Sequence, residues 1–195
     1  HTDNSYWRAF PLALSGPFTV NSVQFGIELA NAAGVGTTQP VTVRVYTSAG
    51  AFPAGVRTLV ASQTFNIPDQ TLSLYTATFT TPPQVASNAI LVLEIFTPSG
   101  QAAGHSFFIG SNAAAETAPS YLSAAACGIA NPVTVGSLGF PNMHIVLHAI
   151  GTVPNPAGAL TQIAGLPSGS VFPVGVTTNT FRVTDAVGLT AECSF

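Results

Sequence analysis

The acidic residue in the least usual setting is Glu94, which lies inside the apolar run from Ala89 to Phe96. A carboxylate among apolar side chains is stable when it is hydrogen-bonded and paired with a cation. We therefore expect Glu94 to form a buried ion pair with Arg8 or Arg44. Catalysis by paired carboxylates requires a second acid, and no spacing in the sequence identifies one. The sequence thus predicts a structural carboxylate and no catalytic residue.

Several aromatic residues could form a sugar-binding platform, because aromatic rings stack on the apolar faces of sugars while polar groups bind the rims. The candidates for sugar stacking are Trp7, Tyr46, Tyr75 and Tyr121. Aromatic rings also fill the cores of β-sandwiches. The sequence favours the core interpretation and keeps sugar stacking as the alternative.

The chain has two cysteines, Cys127 and Cys193. They suffice for one disulfide in an oxidising compartment and are too few for a structural zinc site. The alanine-rich surroundings of Cys127 supply no charge that would activate its thiol as a nucleophile. A structural role is therefore expected for both residues.

Metal binding has little support in the sequence. His144 and His148 lie on one face of a predicted strand, about 13 Å apart at about 3.3 Å per residue, too far for one ion. No Asp-x-Asp-x-Asp-Gly loop organises a calcium site. Hard oxygen atoms that calcium could use occur at Asp3, Asn4, Asn112 and Glu116. We predict no cofactor, with calcium as the alternative.

The charge inventory excludes several classes of protein. The 195 residues contain 4 basic and 7 acidic residues, which gives a net charge of −3, and lysine does not occur. Charged residues make up 6% of the chain, against about 25% in ordinary soluble domains. Nucleic-acid and polybasic membrane-surface binding both require clustered positive charge.

The apolar runs of the chain are too short to span a membrane. The longest clear run is Ala89 to Phe96, whereas a spanning helix needs about 20 apolar residues. We predict no nucleic-acid partner and no membrane span.

The elements that carry these residues are predicted to be strands, because apolar and small polar residues alternate between clusters of Gly, Pro, Asn and Ser. The alternation slips in phase near Asn21-Ser22, which predicts a β-bulge. Predicted strands include Val23–Leu29, Val41–Thr47, Thr58–Phe65, Leu72–Thr80, Ala89–Phe96, His105–Ile109 and Met143–Ile150. Residues 1–150 are thus predicted to be all-β, an antiparallel β-sandwich of jelly-roll or immunoglobulin-like type.

A shorter β segment is predicted after a Pro- and Gly-rich linker at 151–158. Its predicted strands are 159–164, 177–184 and 189–195, and a four-residue loop at 185–188 joins the last two. Three strands in about 40 residues cannot cover both faces of a sandwich. This segment therefore requires apolar partners from elsewhere.

The segment 159–195 contains four diagnostic motifs: Gly165-Leu-Pro-Ser-Gly169, Phe172-Pro-Val-Gly175, Thr184-Asp-Ala-Val-Gly188 and Cys193-Ser-Phe195. With these motifs it resembles the second half of a hyalin repeat (HYR) domain, an immunoglobulin-like module of extracellular and bacterial surface proteins. The first strands of that family are missing. Its earlier cysteine would fall near Asn155-Pro156, where none occurs. The resemblance therefore implies a partial immunoglobulin-like segment, with a disulfide from Cys193 to Cys127 replacing the usual one.

Residues 1–150 look like a module of large secreted bacterial surface proteins. The segments that carry this resemblance are Asn4–Phe10, Phe107–Asn112, Ala118–Tyr121 and Gly139–His144. Such modules often occur beside immunoglobulin-like repeats. The resemblance implies an extracellular location and no particular chemistry.

Together these features predict an extracellular structural or adhesive surface protein rather than an enzyme. Its few charges provide little colloidal repulsion, and an incomplete sandwich exposes an edge and an apolar face that strand addition can fill. The expected partners are copies of itself or neighbouring surface-protein modules, assembled by β-strand complementation into a fibre or matrix. The alternative is a carbohydrate-binding module of a secreted multidomain protein, with polysaccharide as the partner.

Overall fold

The computed structural model describes residues 1–34, 36–154, 159–185 and 188–195. The chain is all-β with antiparallel sheets, as the alternating sequence pattern predicts. It divides into two compact units, His1–Val153 and Pro154–Phe195. Each unit is built from its own strands.

The first unit consists of strands and short 3₁₀ turns. In chain order its strands are β1 (Asn4–Pro11), β2 (Phe18–Asn31), β3 (Thr38–Ser48), β4 (Arg57–Pro68), β5 (Gln70–Thr78), β6 (Gln84–Val85), β7 (Ile90–Thr97), β8 (Ser106–Ile109), β9 (Ser111–Asn112), β10 (Tyr121–Ala124), β11 (Ile129–Thr134), β12 (His144–Ile145) and β13 (Leu147–Thr152). The 3₁₀ turns are Gln101–Ala103, Ala125–Cys127 and Val135–Leu138.

Two main sheets form the sandwich of this unit. The first has six strands in the order β11-β10-β1-β7-β3-β4, and the second is built around the long strand β2, with β13 and β5 beside it. The short strands β6 and β8 also pair with β2, and β9 pairs with β12. Because β2 is the longest strand, it holds β13 along its first half and β8 along its second half.

The core lies between these sheets and is formed by alternate residues of the long strands. The inward side chains of β3 are Val41, Val43 and Val45, and all three are fully buried. Phe25 and Ile27 of β2 pack into the same cluster. The opposite parity of each strand therefore forms the outer faces, where polar and functional groups are found.

The predicted bulge is present in β2. Ile150 pairs with Ser22 and Gly151 pairs with Val20, so Asn21 is the extra residue opposite β13. The predicted strand at 143–150 is instead two strands, β12 and β13. The interruption lies at Val146, whose backbone bonds to two glycines rather than to one continuous partner strand.

A ring of three backbone hydrogen bonds joins the strands at this interruption. The Gly110 N–H donates to Gly26 O (2.8 Å), Val146 N–H donates to Gly110 O (3.1 Å), and Gly26 N–H donates to Val146 O (2.9 Å). A Cβ atom on Gly110 would lie 2.6 Å from the carbonyl carbon of Gly26. Glycine is required here because two backbones approach too closely for any side chain.

The second unit is a three-stranded antiparallel sheet in chain order, with β14 (Ala159–Ala164), β15 (Thr180–Thr184) and β16 (Thr190–Ser194). The strand predicted from 177 begins at Thr180. The predicted linker at 151–158 began too early, because Gly151 and Thr152 belong to β13. Residues 155–158 of that linker, and 186–187 of the predicted loop, lie outside the described residues.

Candidate functional site

The outer face of the first sheet brings Glu94 next to the predicted cation. Glu94 on β7 is opposite Trp7 on β1 and opposite Arg44 on β3. Residues that face each other across a ladder share a side of the sheet. Glu94 therefore points away from the sandwich core, while its neighbours Leu93 and Ile95 point into it.

Glu94 is nevertheless only 2% exposed, because other outer-face side chains cover it. Its Oε1 accepts hydrogen bonds from Ser5 Oγ (2.6 Å) and Arg44 Nη1 (3.0 Å), and its Oε2 accepts one from Tyr46 Oη (2.7 Å). The guanidinium of Arg44 also lies 4.4 Å from the ring centre of Phe96. The carboxylate is thus paired and hydrogen-bonded, which is the condition for burying its charge.

Arg8 is not a partner of Glu94, so that part of the prediction is wrong. Arg8 is opposite Leu93 and shares the core side of the sheet. It is buried, and its guanidinium donates to Ala118 O (3.1 Å), Thr117 Oγ1 (3.3 Å) and Ile145 O (3.4 Å). Its role is to hold these backbone segments against the sandwich, because β1 alternation places it on the opposite face from Glu94.

Three of the four sugar-stacking candidates lie together on the outer face, and the fourth does not. Trp7, Tyr46 and Tyr121 cluster with Phe52 from the loop before β4. Tyr75 lies on β5 of the other sheet, against Phe25 at 5.6 Å. A platform of all four residues is therefore wrong, since strand order separates Tyr75 from the others.

The aromatic cluster is a packed group with one open side. Trp7 is 6% exposed and its indole N–H donates to Ser123 Oγ (3.0 Å). The ring of Phe52 lies edge-on to Tyr121, with centroids 4.8 Å apart. Trp7 and Tyr121 thus behave as core residues, as the sequence favoured, and do not form a flat exposed platform.

An open groove of about 720 Å³ runs beside this cluster, between the β3–β4 loop and β11. Its lining includes Trp7, Tyr46, Val56, Arg57, Asn131 and Pro132. Val56 and Asn131 are exposed, whereas Trp7 is only 6% exposed. This groove is where the outer face could accept a ligand.

Three tyrosines in this unit have raised pKa values. Burial raises the pKa of Tyr6 to about 12. Burial, together with the hydrogen bond to Glu94, raises the pKa of Tyr46 to about 12. Burial and the charge of Glu116 also raise the pKa of Tyr121.

These pKa shifts predict a loss of stability in alkali. The folded state favours the neutral phenol, so its contribution is complete below the ordinary pKa of 10.0 and is lost as the pH rises through about 12. We expect phenolate absorbance of Tyr6 and Tyr46 to appear only above pH 10, together with unfolding. Titration of Tyr46→Phe should lack one of these two late steps. Half-titration of all four tyrosines near pH 10 in folded protein would contradict the prediction.

The two cysteines do not form the implied disulfide in this structure. Both are free, exposed thiols, Cys127 in the first unit and Cys193 on β16 of the second. Cys127 Sγ contacts Thr2 Oγ1 at 3.7 Å. The disulfide inferred from the HYR resemblance is therefore not supported.

The metal candidates are engaged in local contacts. His144 Nδ1 contacts Ala114 O, while Asn112 Oδ1 accepts a hydrogen bond from Ala114 N–H (2.9 Å). Glu116 Oε2 accepts one from Ser120 Oγ (2.8 Å). Among the described residues, no group of three or more His, Cys, Asp and Glu side chains is placed to hold a metal ion.

The second unit has one apolar and one polar face. Cross-strand pairing places Leu160 beside Val183, Val183 beside Ala191, and Phe181 beside Cys193. The other face carries the Arg182–Glu192 ion pair (2.7 Å). Leu160 is 70% exposed. The apolar face is that of a sandwich sheet, yet it is open to solvent.

This unit lacks a core of its own. Among its described residues the buried side chain is the polar Asn179, and no hydrophobic side chain is buried. The segment between β14 and β15 exposes further apolar groups, at Val171, Phe172, Val174 and Val176. The expectation that three strands cannot enclose an interior is thus met within this unit.

Sequence reasoning missed several residues of the outer face: Ser5, Phe52, Arg57 and Asn131. The sequence could have indicated Arg57 as a candidate, because the chain has only 4 basic residues and each is expected to form an ion pair or to bind a ligand. The other three have no signal, because they reach the site through strand order and loop path.

Comparisons of the chain with protein-family models, curated proteins and solved structures found no match. No helix among the described residues is long and apolar enough to cross a membrane.

Proposed function

We propose that the chain is an extracellular structural or adhesive protein, not an enzyme, which assembles with copies of itself through β-strand complementation. The observation that carries this proposal is the second unit, a sheet with a solvent-exposed apolar face and no buried hydrophobic side chain among its described residues. Such a face is a stable element only when another layer covers it.

The covering layer we propose is supplied by a second copy. The outer edges of β14 and β16 have no strand partner among the described residues, so their backbone groups can accept an added strand. The exposed apolar segment 171–176 belongs to no strand, contains Pro173 and a bend at 174–175, and provides apolar side chains. Strand addition by such a segment gives main-chain bonds and buries alternate side chains.

The low charge of the chain fits this mode of assembly. Charged residues make up 6% of the sequence, and the Arg182–Glu192 pair lies on the polar face of the second sheet, away from the apolar one. An interface of apolar and backbone contacts is nearly independent of ionic strength. Surface fibres and matrices require contacts of this kind in variable external conditions.

If the chain assembles as proposed, it forms large particles in solution, and a charge introduced on the apolar face of the second unit prevents their formation. We expect light scattering of the full chain to show particles larger than a dimer, with the same size in low and high salt. Leu160→Lys should give monomers, because the ammonium group would be buried unpaired in the new interface. Electron microscopy of the same samples would show whether the particles are fibres.

Two variants serve as matched controls for this test. Thr190→Lys adds the same charge to the polar face of the same sheet, and Leu72→Lys replaces a leucine of the first unit that is 87% exposed. Both should assemble like the unmodified chain. A monomeric full chain, or equal loss of assembly in Leu72→Lys, would overturn the proposal.

A second candidate function is glycan binding at the outer groove of the first unit. It is favoured by the convergence of Trp7, Tyr46, Asn131 and Arg57 on one groove of about 720 Å³. Carbohydrate-binding modules combine ring surfaces with amide and charged groups in this way. The two functions are compatible, since they use different units of the chain.

A further inference from the structure

The outer groove has one charged group among its lining residues, Arg57. No carboxylate lines the groove, although the chain as a whole has a net charge of −3. The groove therefore carries a positive charge in a chain that is negative overall. Arg57 can bind an anion there only if its guanidinium is not already paired with a carboxylate.

The other three arginines are engaged away from the groove. Arg44 and Arg182 form ion pairs with glutamates, and Arg8 is buried against backbone carbonyls. Arg57 has no carboxylate partner among the residues that the structure describes. Arg57 is partly exposed, and its charge is available to bind a ligand.

Aromatic stacking holds the guanidinium of Arg57 in place. Its Cζ lies 5.2 Å from the Trp7 ring centre and 5.6 Å from that of Phe52. One of its N–H groups reaches Pro53 O at 3.4 Å. A guanidinium has five donors in a planar fork that matches a carboxylate. Among the described residues, Pro53 O is the hydrogen-bond acceptor that Arg57 reaches, so most of its donors remain for a ligand.

We propose that Arg57 binds the carboxylate of a uronate residue in an acidic glycan seated in this groove. Asn131 of β11 also lines the groove, is exposed and can bind sugar hydroxyls, while the exposed side chain of Val56 can contact the apolar face of a sugar ring. This inference rests on the second candidate function, glycan binding, and adds the class of sugar.

The groove fits an acidic sugar better than an acidic peptide. Its apolar lining includes the exposed Val56, which complements the C–H face of a pyranose ring. An acidic peptide would need further cations for its successive carboxylates, and Arg57 is alone in the groove. The single cation Arg57 beside apolar lining residues therefore matches a uronate, which carries one carboxylate on its sugar ring.

The experiment measures binding of the full chain to polygalacturonate, alginate, carboxyl-reduced polygalacturonate and polyglutamate by affinity electrophoresis and calorimetry. We expect binding to one of the uronate polymers and none to the reduced polymer or polyglutamate. Arg57→Gln should weaken that binding about tenfold to hundredfold, the usual loss for a hydrogen-bonded charge. Arg182→Gln removes the same charge from the second unit and should leave affinity unchanged.

The outcomes separate this inference from the function on which it rests. Equal binding of the reduced polymer, with no effect of Arg57→Gln, would keep glycan binding and overturn the role of the carboxylate. Binding of polyglutamate as tight as that of the uronate polymers would overturn the sugar assignment. No binding to any of the polymers would overturn this inference together with glycan binding, leaving assembly through the second unit unaffected. Thermal unfolding of Arg57→Gln verifies that the variant is folded.

Discussion

Replacing Arg44 by methionine should lower the free energy of unfolding of the first unit by about 3 kcal/mol, because removal of one partner leaves a buried charge uncompensated. Glu94 is 2% exposed, and without Arg44 its remaining donors are the neutral hydroxyls of Ser5 and Tyr46. Denaturant unfolding measures the effect. Trp7 is the single tryptophan, is buried and lies opposite Glu94 on the neighbouring strand, so its fluorescence reports on this unit alone.

Measuring Arg44→Met in a Glu94→Gln protein shows whether the uncompensated charge of Glu94 causes the loss of stability. In Glu94→Gln protein the same Arg44→Met change should cost less than about 1 kcal/mol, since no carboxylate remains to be compensated. Arg57→Met provides a matched control, because Arg57 stacks on Trp7 without a carboxylate partner among the described residues. Its cost should also stay below about 1 kcal/mol. Equal costs for Arg44→Met in both backgrounds would show that the effect comes from lost packing.

Gly110→Ala should destabilise the first unit by about 3 kcal/mol, the upper range for overpacking. The added methyl would lie 2.6 to 2.8 Å from backbone atoms of Gly26 and Ile27, which cannot move without breaking the ring of hydrogen bonds through Val146. Denaturant unfolding followed by Trp7 fluorescence measures this loss.

Gly136→Ala is the matched control for the Gly110 variant. A Cβ atom at Gly136 would meet Pro141 at 3.7 Å, an ordinary van der Waals contact. The free energy of unfolding should therefore change by less than about 0.5 kcal/mol. If the two alanine variants are equally stable, the glycine contact in β2 does not constrain the fold.

Much of the strand pattern could be predicted from the sequence, because alternation directly reports which side chains face a core. Val41, Val43 and Val45 alternate within a predicted strand and face the core, and the phase slip near Asn21-Ser22 predicted the bulge found at Asn21. Local pattern thus defined strands and their faces.

The partners across the sheets could not be predicted, because alternation contains no information about strand order. From the sequence, Arg8 and Arg44 were equivalent candidates to pair with Glu94. Strands β1 and β3 both lie beside β7, but Arg8 is opposite Leu93 and Arg44 is opposite Glu94, so only Arg44 shares the face of Glu94. Tyr75 was grouped with Trp7 for the same reason. Arg57 needed the path of the loop before β4 to reach the aromatic cluster.

Cys193 lies within the apolar face of the second sheet, beside Phe181, and it is exposed together with that face. Its rate of alkylation by a small maleimide therefore reports how much of the face is covered at any moment. Cys127 is also exposed and belongs to the first unit, so it supplies an internal reference rate in the same molecule. The ratio of the two rates would follow coverage of the sheet in living cultures, with no added tag.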